Sequence, residues 1–248
     1  MENNDSCCCA PGRKMNRRDC AICGKPLVYF SEEKQMECAI CRKMKPANAS
    51  CEAGHFVCDD CHSGGGAAVL ALLQTSDEKD PVALLLRVMA LKDVHLHGPE
   101  HHGIVPCVLL TAYRNCGGAI DLAKALPEAW RRGRKIPGGA CGYLGVCGAA
   151  AGAGVFAGVV AGATPLSETQ WAIPQKLTAE CLKAMTEIGG PRCCKRDSFL
   201  SILSAIDFVK ENFGIEMEKP EIVCSHSAQN NQCIGKRCPF AKVNHNVF

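Results

Sequence analysis

The sequence predicts a mainly α protein: a helical domain preceded by a small two-zinc Cys/His module and followed by a Cys-rich loop. Three observations carry this. Apolar residues make up 47% of the 248 residues while aromatics make up 5%, so the core is built from Ala, Leu, Val and Ile. Cysteine is abundant, with 20 residues, ten of them within the first 66. Between 67 and 215 the chain reads as a succession of helix signals punctuated by Gly and Pro.

Residues 1–19 are polar and basic and are expected to be a disordered tail. Adjacent thiols cannot all face one tetrahedral ion, so Cys7, Cys8 and Cys9 read as a loose or auxiliary cluster. Residues 20–66 form the zinc module with its Gly linker. Its ligands come in four pairs: Cys20 with Cys23, Cys38 with Cys41, Cys51 with His55, and Cys58 with Cys61. A C-x-x-C knuckle turns two thiolates onto one ion, so eight ligands imply two closed, structural Zn²⁺ sites. A module of this size has too little core to fold without such staples. Spacing leaves the pairing open. Sequential sites would join the first pair to the second and the third to the fourth; a cross-brace would join first to third and second to fourth. Cys38-Ala-Ile-Cys41 repeats Cys20-Ala-Ile-Cys23, which favours equivalent roles. His62 is a spare ligand candidate, or a surface His beside a ligand.

Gly64, Gly65 and Gly66 mark a joint, and residues 67–215 are assigned to the helical domain. Its first helix covers Ala67–Gln74. Asp80-Pro81 signals an N-cap with proline at the first helical position, opening a helix to about Lys92 with Val82, Leu85, Leu86 and Met89 on one face. A His-rich turn, His97 to His102, leads into a helix ending at Asn115, and another follows over Ala119–Arg134. Cys141–Gly162 reads as a Gly/Ala-rich helix and Glu168–Ile188 as a further one. The clearest lies over Asp197–Phe213, where Phe199, Ile202, Leu203, Ile206, Val209 and Phe213 form a core stripe closed by Gly214. Residues 216–248 are expected to pack on this domain as a Cys-rich segment.

Charge excludes some functions. The 28 basic and 25 acidic residues are evenly spread, and the first 66 residues carry nine of each, so no electrostatic footprint for nucleic acid is visible. The longest apolar run, Gly148–Ala163, is 16 residues of mostly Ala and Gly, short of the about 20 that a membrane span requires. The N-terminus has no apolar signal-peptide core, and C-x-x-C pairs are ligand spacing, so a cytoplasmic protein with reduced thiols is expected. The basic run Arg131, Arg132, Arg134 and Lys135 suits a helix C-terminus, or an acidic partner.

Chemistry is expected in the helical domain. His97, Glu100, His101 and His102 form a candidate metal-binding or proton-handling group, with helix capping as the plainer reading. Cys141 and Cys147 lie six apart among glycines that allow close approach, and a thiol at a helix N-terminus is expected to be acidic. The same reasoning applies to Cys193 and Cys194, beside Arg192, Lys195 and Arg196. Cys224, Cys233 and Cys238 follow, the last before Pro239. One of the Cys193-Cys194 pair with these three would supply four thiolates to an iron–sulfur cluster. Cys107 and Cys116 read equally well as small buried hydrophobes.

The stretches HGPEHH, GGxCGxxGxCGAAxGAG, GATPLS, GGPRCCKRDSF and QCIGKRCP resemble an uncharacterised Cys-rich domain of anaerobic prokaryotes, sometimes attached to radical-SAM domains. The CGxxGxCGA part is also similar to the C-GCAxxG-C-C group of redox proteins. The resemblance covers about residues 20–248. It implies metal or sulfur chemistry carried by His97, Glu100, His101, His102, Cys141, Cys147, Cys193, Cys194, Cys224, Cys233 and Cys238. A radical-SAM protein is the partner class it suggests, since this chain has no radical-SAM C-x3-C-x2-C motif of its own. Two functions follow as expectations. One is a redox or sulfur-handling metalloprotein that binds zinc and an iron–sulfur cluster and acts on an unknown protein or small molecule. The other is a zinc-stapled adaptor, without catalysis, that docks a protein or nucleic-acid partner.

Overall fold

A computed structural model describes residues 20, 22–23, 25–39, 42–62 and 66–241. The Cys7–Cys9 cluster, Cys41 and most of the glycine joint lie outside the described residues. Two strands, β1 (Leu27–Glu37) and β2 (Met44–Cys51), pair antiparallel. This hairpin was not anticipated. Its strands face mostly solvent, and only the end of β2 is buried, where Ala47 and Cys51 turn inward, so it lacks the alternating apolar pattern that announces a strand. The register slips between Tyr29 and Lys34. A short helix, α1 (Asp59–His62), ends the module.

The rest is helical, as expected: α2 (Gly66–Thr75), α3 (Pro81–Met89), α4 (Glu100–Asn115), α5 (Leu122–Gly133), α6 (Ala140–Tyr143), α7 (Gly148–Val160), α8 (Ala172–Ile188) and α9 (Cys194–Phe213). The helix α4 is the hub. Every residue from Glu100 to Tyr113 is buried, and it packs against α2, α3, α5, α7 and α9. Caps fall where sequence places them. The Asp80 carboxylate accepts from the Val82 amide at 2.7 Å, and Gly214 takes φ 68° to close α9. On α9, Phe199, Ile202, Ile206 and Val209 are buried, while Leu203 and Phe213 sit at the rim.

Four expectations need correcting. The α3 helix stops at Met89, and Leu86 is exposed where Leu84 and Val88 are buried, because the whole helix sinks one side into α4. Its inward arc is wider than the stripe read from spacing. The α5 helix opens at Leu122 on an Asp121 cap, with Pro127 inside it. The α8 helix begins at Ala172, leaving 168–171 in turns. The expected single helix over Cys141–Gly162 is two. It breaks at residues 144–147, where Gly145 adopts φ 68°, and Cys147 becomes the N-cap residue of α7. Among the described residues no helix is long and apolar enough to cross a membrane.

Candidate metal centres and the cleft between them

The module brings its ligands together in a cross-brace. Cys20, Cys23, Cys51 and His55 converge, as do Cys38, Cys58 and Cys61, with ligand atoms in each group all within 4.8 Å. With bonds of about 2.3 Å to sulfur and about 2.1 Å to nitrogen, a zinc tetrahedron has S···S edges of about 3.8 Å and S···N edges of about 3.6 Å. Cys23 Sγ lies 3.7 Å from Cys51 Sγ. His55 Nδ1 lies 3.3, 3.6 and 3.9 Å from the thiols of Cys23, Cys51 and Cys20. The donor set and its edges fit a metal ion. The two knuckles are closed alike, for the Cys20 and Cys38 amides donate to the carbonyls of Lys25 and Lys43, each at 3.0 Å. Amides also point at the sulfurs: Ile22 N to Cys20 Sγ at 3.4 Å, His55 N to Cys51 Sγ at 3.3 Å, and Cys58 N to Cys38 Sγ at 3.3 Å. Cys41, the expected fourth ligand of the second site, lies outside the described residues.

The module packs on the helical domain around a cavity of about 250 Å³. Gly138 N donates to Asp59 Oδ2 at 3.0 Å, Tyr143 Oη to the Phe30 carbonyl at 2.6 Å, and the Arg192 guanidinium lies 5.3 Å from the Tyr29 ring centre. Cys141, Cys147 and Cys194 line this cavity together with His97, His101 and His102. Each imidazole has a defined proton. His101 Nδ1–H donates to the Gly98 carbonyl at 3.2 Å and His102 Nδ1–H to the Ile136 carbonyl at 3.0 Å. Both Nε2 atoms are thereby left as lone pairs, and that of His101 is buried without a partner. Tying one ring nitrogen to a carbonyl is how proteins orient a metal-ligating His. Burial keeps both rings below the usual imidazole pKa, hence neutral. His97 is committed otherwise. It accepts from Cys194 N at 3.4 Å through Nδ1 and donates through Nε2 to Asn230 Oδ1 at 3.1 Å. Burial and the Arg192 charge push its pKa down to about 4. It positions the start of α9 and the C-terminal loop rather than presenting a free nitrogen.

The expectation of acidic thiols is not met. Burial raises Cys141, Cys147 and Cys193, and pushes Cys194 up to about 12, against the smaller help of Arg192. Asp197 adds to this. Its carboxylate, paired with Arg196 at 3.0 Å, sits 3.9 Å from Cys147 Sγ. Helix N-termini lose here to desolvation. Such thiols deprotonate when a cation replaces the proton.

The Cys193-Cys194 pair is split. Cys194 faces the cavity, while Cys193 lines a second, small, apolar pocket with Cys224, Cys233 and Cys238. Here the sulfurs are again met by N–H groups. His226 N points at Cys224 Sγ and Gly235 N at Cys233 Sγ, both at 3.4 Å; Arg196 N and Asn230 Nδ2 point at Cys193 Sγ, both at 3.5 Å. The first two repeat the i+2 geometry seen at Cys20 in the Cys/His module. Four thiols thus line one pocket, three of them met by N–H donors. Cys141 and Cys147 line the cavity with Cys194, and Cys193 lines the second pocket. Cys107 is core, its thiol 3.5 Å from the Leu126 carbonyl, and Cys116 is half-buried.

Residues 69–241 match DUF5714, described as a family of unknown function. The chain belongs to that family. The DUF5714 match takes in the His-rich turn, the cavity cysteines and the four-cysteine pocket, and leaves the N-terminal Cys/His module outside it. No curated protein matches the chain, and no solved structure matches it.

Sequence reasoning missed Asp197, Arg192 and Asp59 as cavity residues. Lys195, named there beside the cysteine pair, is buried and donates to the His95 carbonyl at 3.1 Å. The only available signal was that four charged residues, Arg192 and 195–197, flank a Cys pair at the head of an apolar stripe. Glu100 does not line the cavity; it lies beneath the turn, bound to His62 and His95.

Proposed function

We propose that this DUF5714 protein is a cytoplasmic metalloprotein with a redox or sulfur-handling role, stapled by two zinc ions and carrying an iron–sulfur cluster on Cys193, Cys224, Cys233 and Cys238. The observation that carries this reading is the four-cysteine pocket, in which three of the sulfurs receive N–H donors. Hydrogen bonds to ligand sulfur stabilise thiolate and tune a cluster's potential. A cluster, when bound, supplies one-electron chemistry. The chain's own residues would do the rest. Asn230 ties the pocket to His97, and Cys194 begins the short path from Cys193 to the cavity. There Cys141, Cys147 and Cys194, with the Nε2 atoms of His101 and His102, present soft donors to a small substrate or to a metal that holds one. The C-x-x-C ligand spacing of the module favours reduced, metal-bound thiols, which persist in a reducing compartment. A radical-SAM protein is the partner class that the sequence resemblance suggests.

The test is purification without oxygen. Brown protein with broad absorbance near about 400 nm and stoichiometric iron and acid-labile sulfide supports the reading. Colourless protein with zinc alone contradicts it, and leaves the adaptor function, with the third Cys cluster a further structural staple.

A further inference from the structure

We propose that His62, His95 and Glu100 hold a divalent transition-metal ion of the class of Zn²⁺ and Fe²⁺, which joins the zinc module to the helical domain and keeps open coordination positions. This site uses no cysteine and goes beyond the cluster proposed above.

The three residues come from separate elements. His62 ends α1 of the zinc module, His95 lies in the turn after α3, and Glu100 opens α4. Their ligand atoms all lie within 4.8 Å of one another. The Glu100 carboxylate gives one oxygen to each ring: Oε2 is 3.1 Å from His62 Nδ1, and Oε1 is 3.3 Å from His95 Nδ1. Metal bonds of about 2.1 Å place neighbouring N and O ligand atoms about 3.0 Å apart in an octahedron and about 3.4 Å apart in a tetrahedron. Both separations fall in that interval. Two imidazoles and a carboxylate suit zinc and ferrous iron, and three protein ligands leave room for water or substrate.

Burial and charge point the same way. The Glu100 side chain is only 3% exposed, and the His95 amide also donates to Oε1 at 2.8 Å, which fixes the carboxylate beneath the turn. Gly98 is needed for this, because a Cβ there would strike the carboxylate. The two rings lie with centroids 4.2 Å apart. One divalent ion set between them can take a ring nitrogen from each. The His62 ring lines the cavity between module and domain, as do Cys194 and His101.

The test is cobalt(II) titration of the full zinc-loaded chain, followed by absorbance. The expected result is one cobalt per chain with d–d bands and no thiolate-to-cobalt charge transfer. That cobalt is lost in Glu100→Gln and in His95→Ala while both structural zincs remain. His95 is partly exposed, with 28% of its side chain accessible, so that variant reads the site even if the buried Glu100→Gln chain misfolds, as circular dichroism would show. No thiolate-free cobalt in the wild type, or the same cobalt in folded variants of both residues, overturns the proposal and leaves a hydrogen-bonded latch. Iron and sulfide content, which decide the cluster, are read separately.

Discussion

Gly148→Ala tests how closely the cavity's histidine is packed. Gly148 opens α7, and a Cβ there would fall on the His102 imidazole, contacting Cγ, Cδ2 and Nε2. The ring has no easy retreat, since its Nδ1–H is bound to the Ile136 carbonyl at 3.0 Å and α4 is buried on all sides. Either the ring swings away and leaves a buried donor and acceptor unpaired, costing about 1–3 kcal/mol, or α4 and α7 separate at the similar cost of overpacking. Alanine returns up to about 1 kcal/mol through its better helix propensity. The net loss is about 1–2 kcal/mol, and in a chain of this length each kcal/mol lowers Tm by about 2–4 °C. Gly142→Ala is the control, because nothing lies within 4 Å of a Cβ there. Thermal and urea unfolding of the two variants side by side give the answer. If Gly148→Ala is as stable as the wild type and as Gly142→Ala, the packing of His102 against α7 is wrong.

Three other outcomes follow from the same geometry. Cys51→Ala and Cys58→Ala should each lose about one zinc by metal analysis and expose residues 20–62 to protease, since the module has no core to replace a site; full zinc retention would refute the cross-brace assignment. Phe199→Ala should cost about 3–5 kcal/mol, because the ring is fully buried and meets Phe240 edge-on at 5.4 Å, locking the C-terminal loop to α9; a loss below about 1 kcal/mol by urea unfolding would mean that the loop is not docked there. Alkylation of native protein should reach exposed Cys141 long before buried Cys181, whose thiol burial raises to about 12, so that its thiolate fraction grows only at strongly alkaline pH; equal labelling near neutral pH by mass spectrometry would contradict this.

The helical fold was legible because its signals are local. Asp80-Pro81, the stripe after Asp197 and Gly214 each state a boundary in adjacent residues. The hairpin was not legible, since it shows no apolar face and its inward end carries candidate metal ligands instead. The break at Gly145 was hidden because glycine both permits a helix and ends one, and only its φ of 68° decides. At the candidate sites the residue types were legible and the partnerships were not. Spacing could not choose the cross-brace, which depends on how the hairpin folds back. Nor could it show that two adjacent cysteines diverge, as the helix start at Cys194 turns one thiol to each side. Thiol acidity was misjudged for a related reason, because proximity of Arg192 and Lys195 is visible in sequence while burial is not.

That divergence gives the most direct test of the account. Cys193→Ser and Cys194→Ser change neighbouring residues in the same way, yet only Cys193 lines the pocket of Cys224, Cys233 and Cys238. Iron and acid-labile sulfide should be measured in both variants after anaerobic purification. The account predicts that Cys193→Ser loses the cluster while Cys194→Ser keeps it at wild-type stoichiometry. Loss of iron in Cys194→Ser with retention in Cys193→Ser, or equal iron in both, would contradict it.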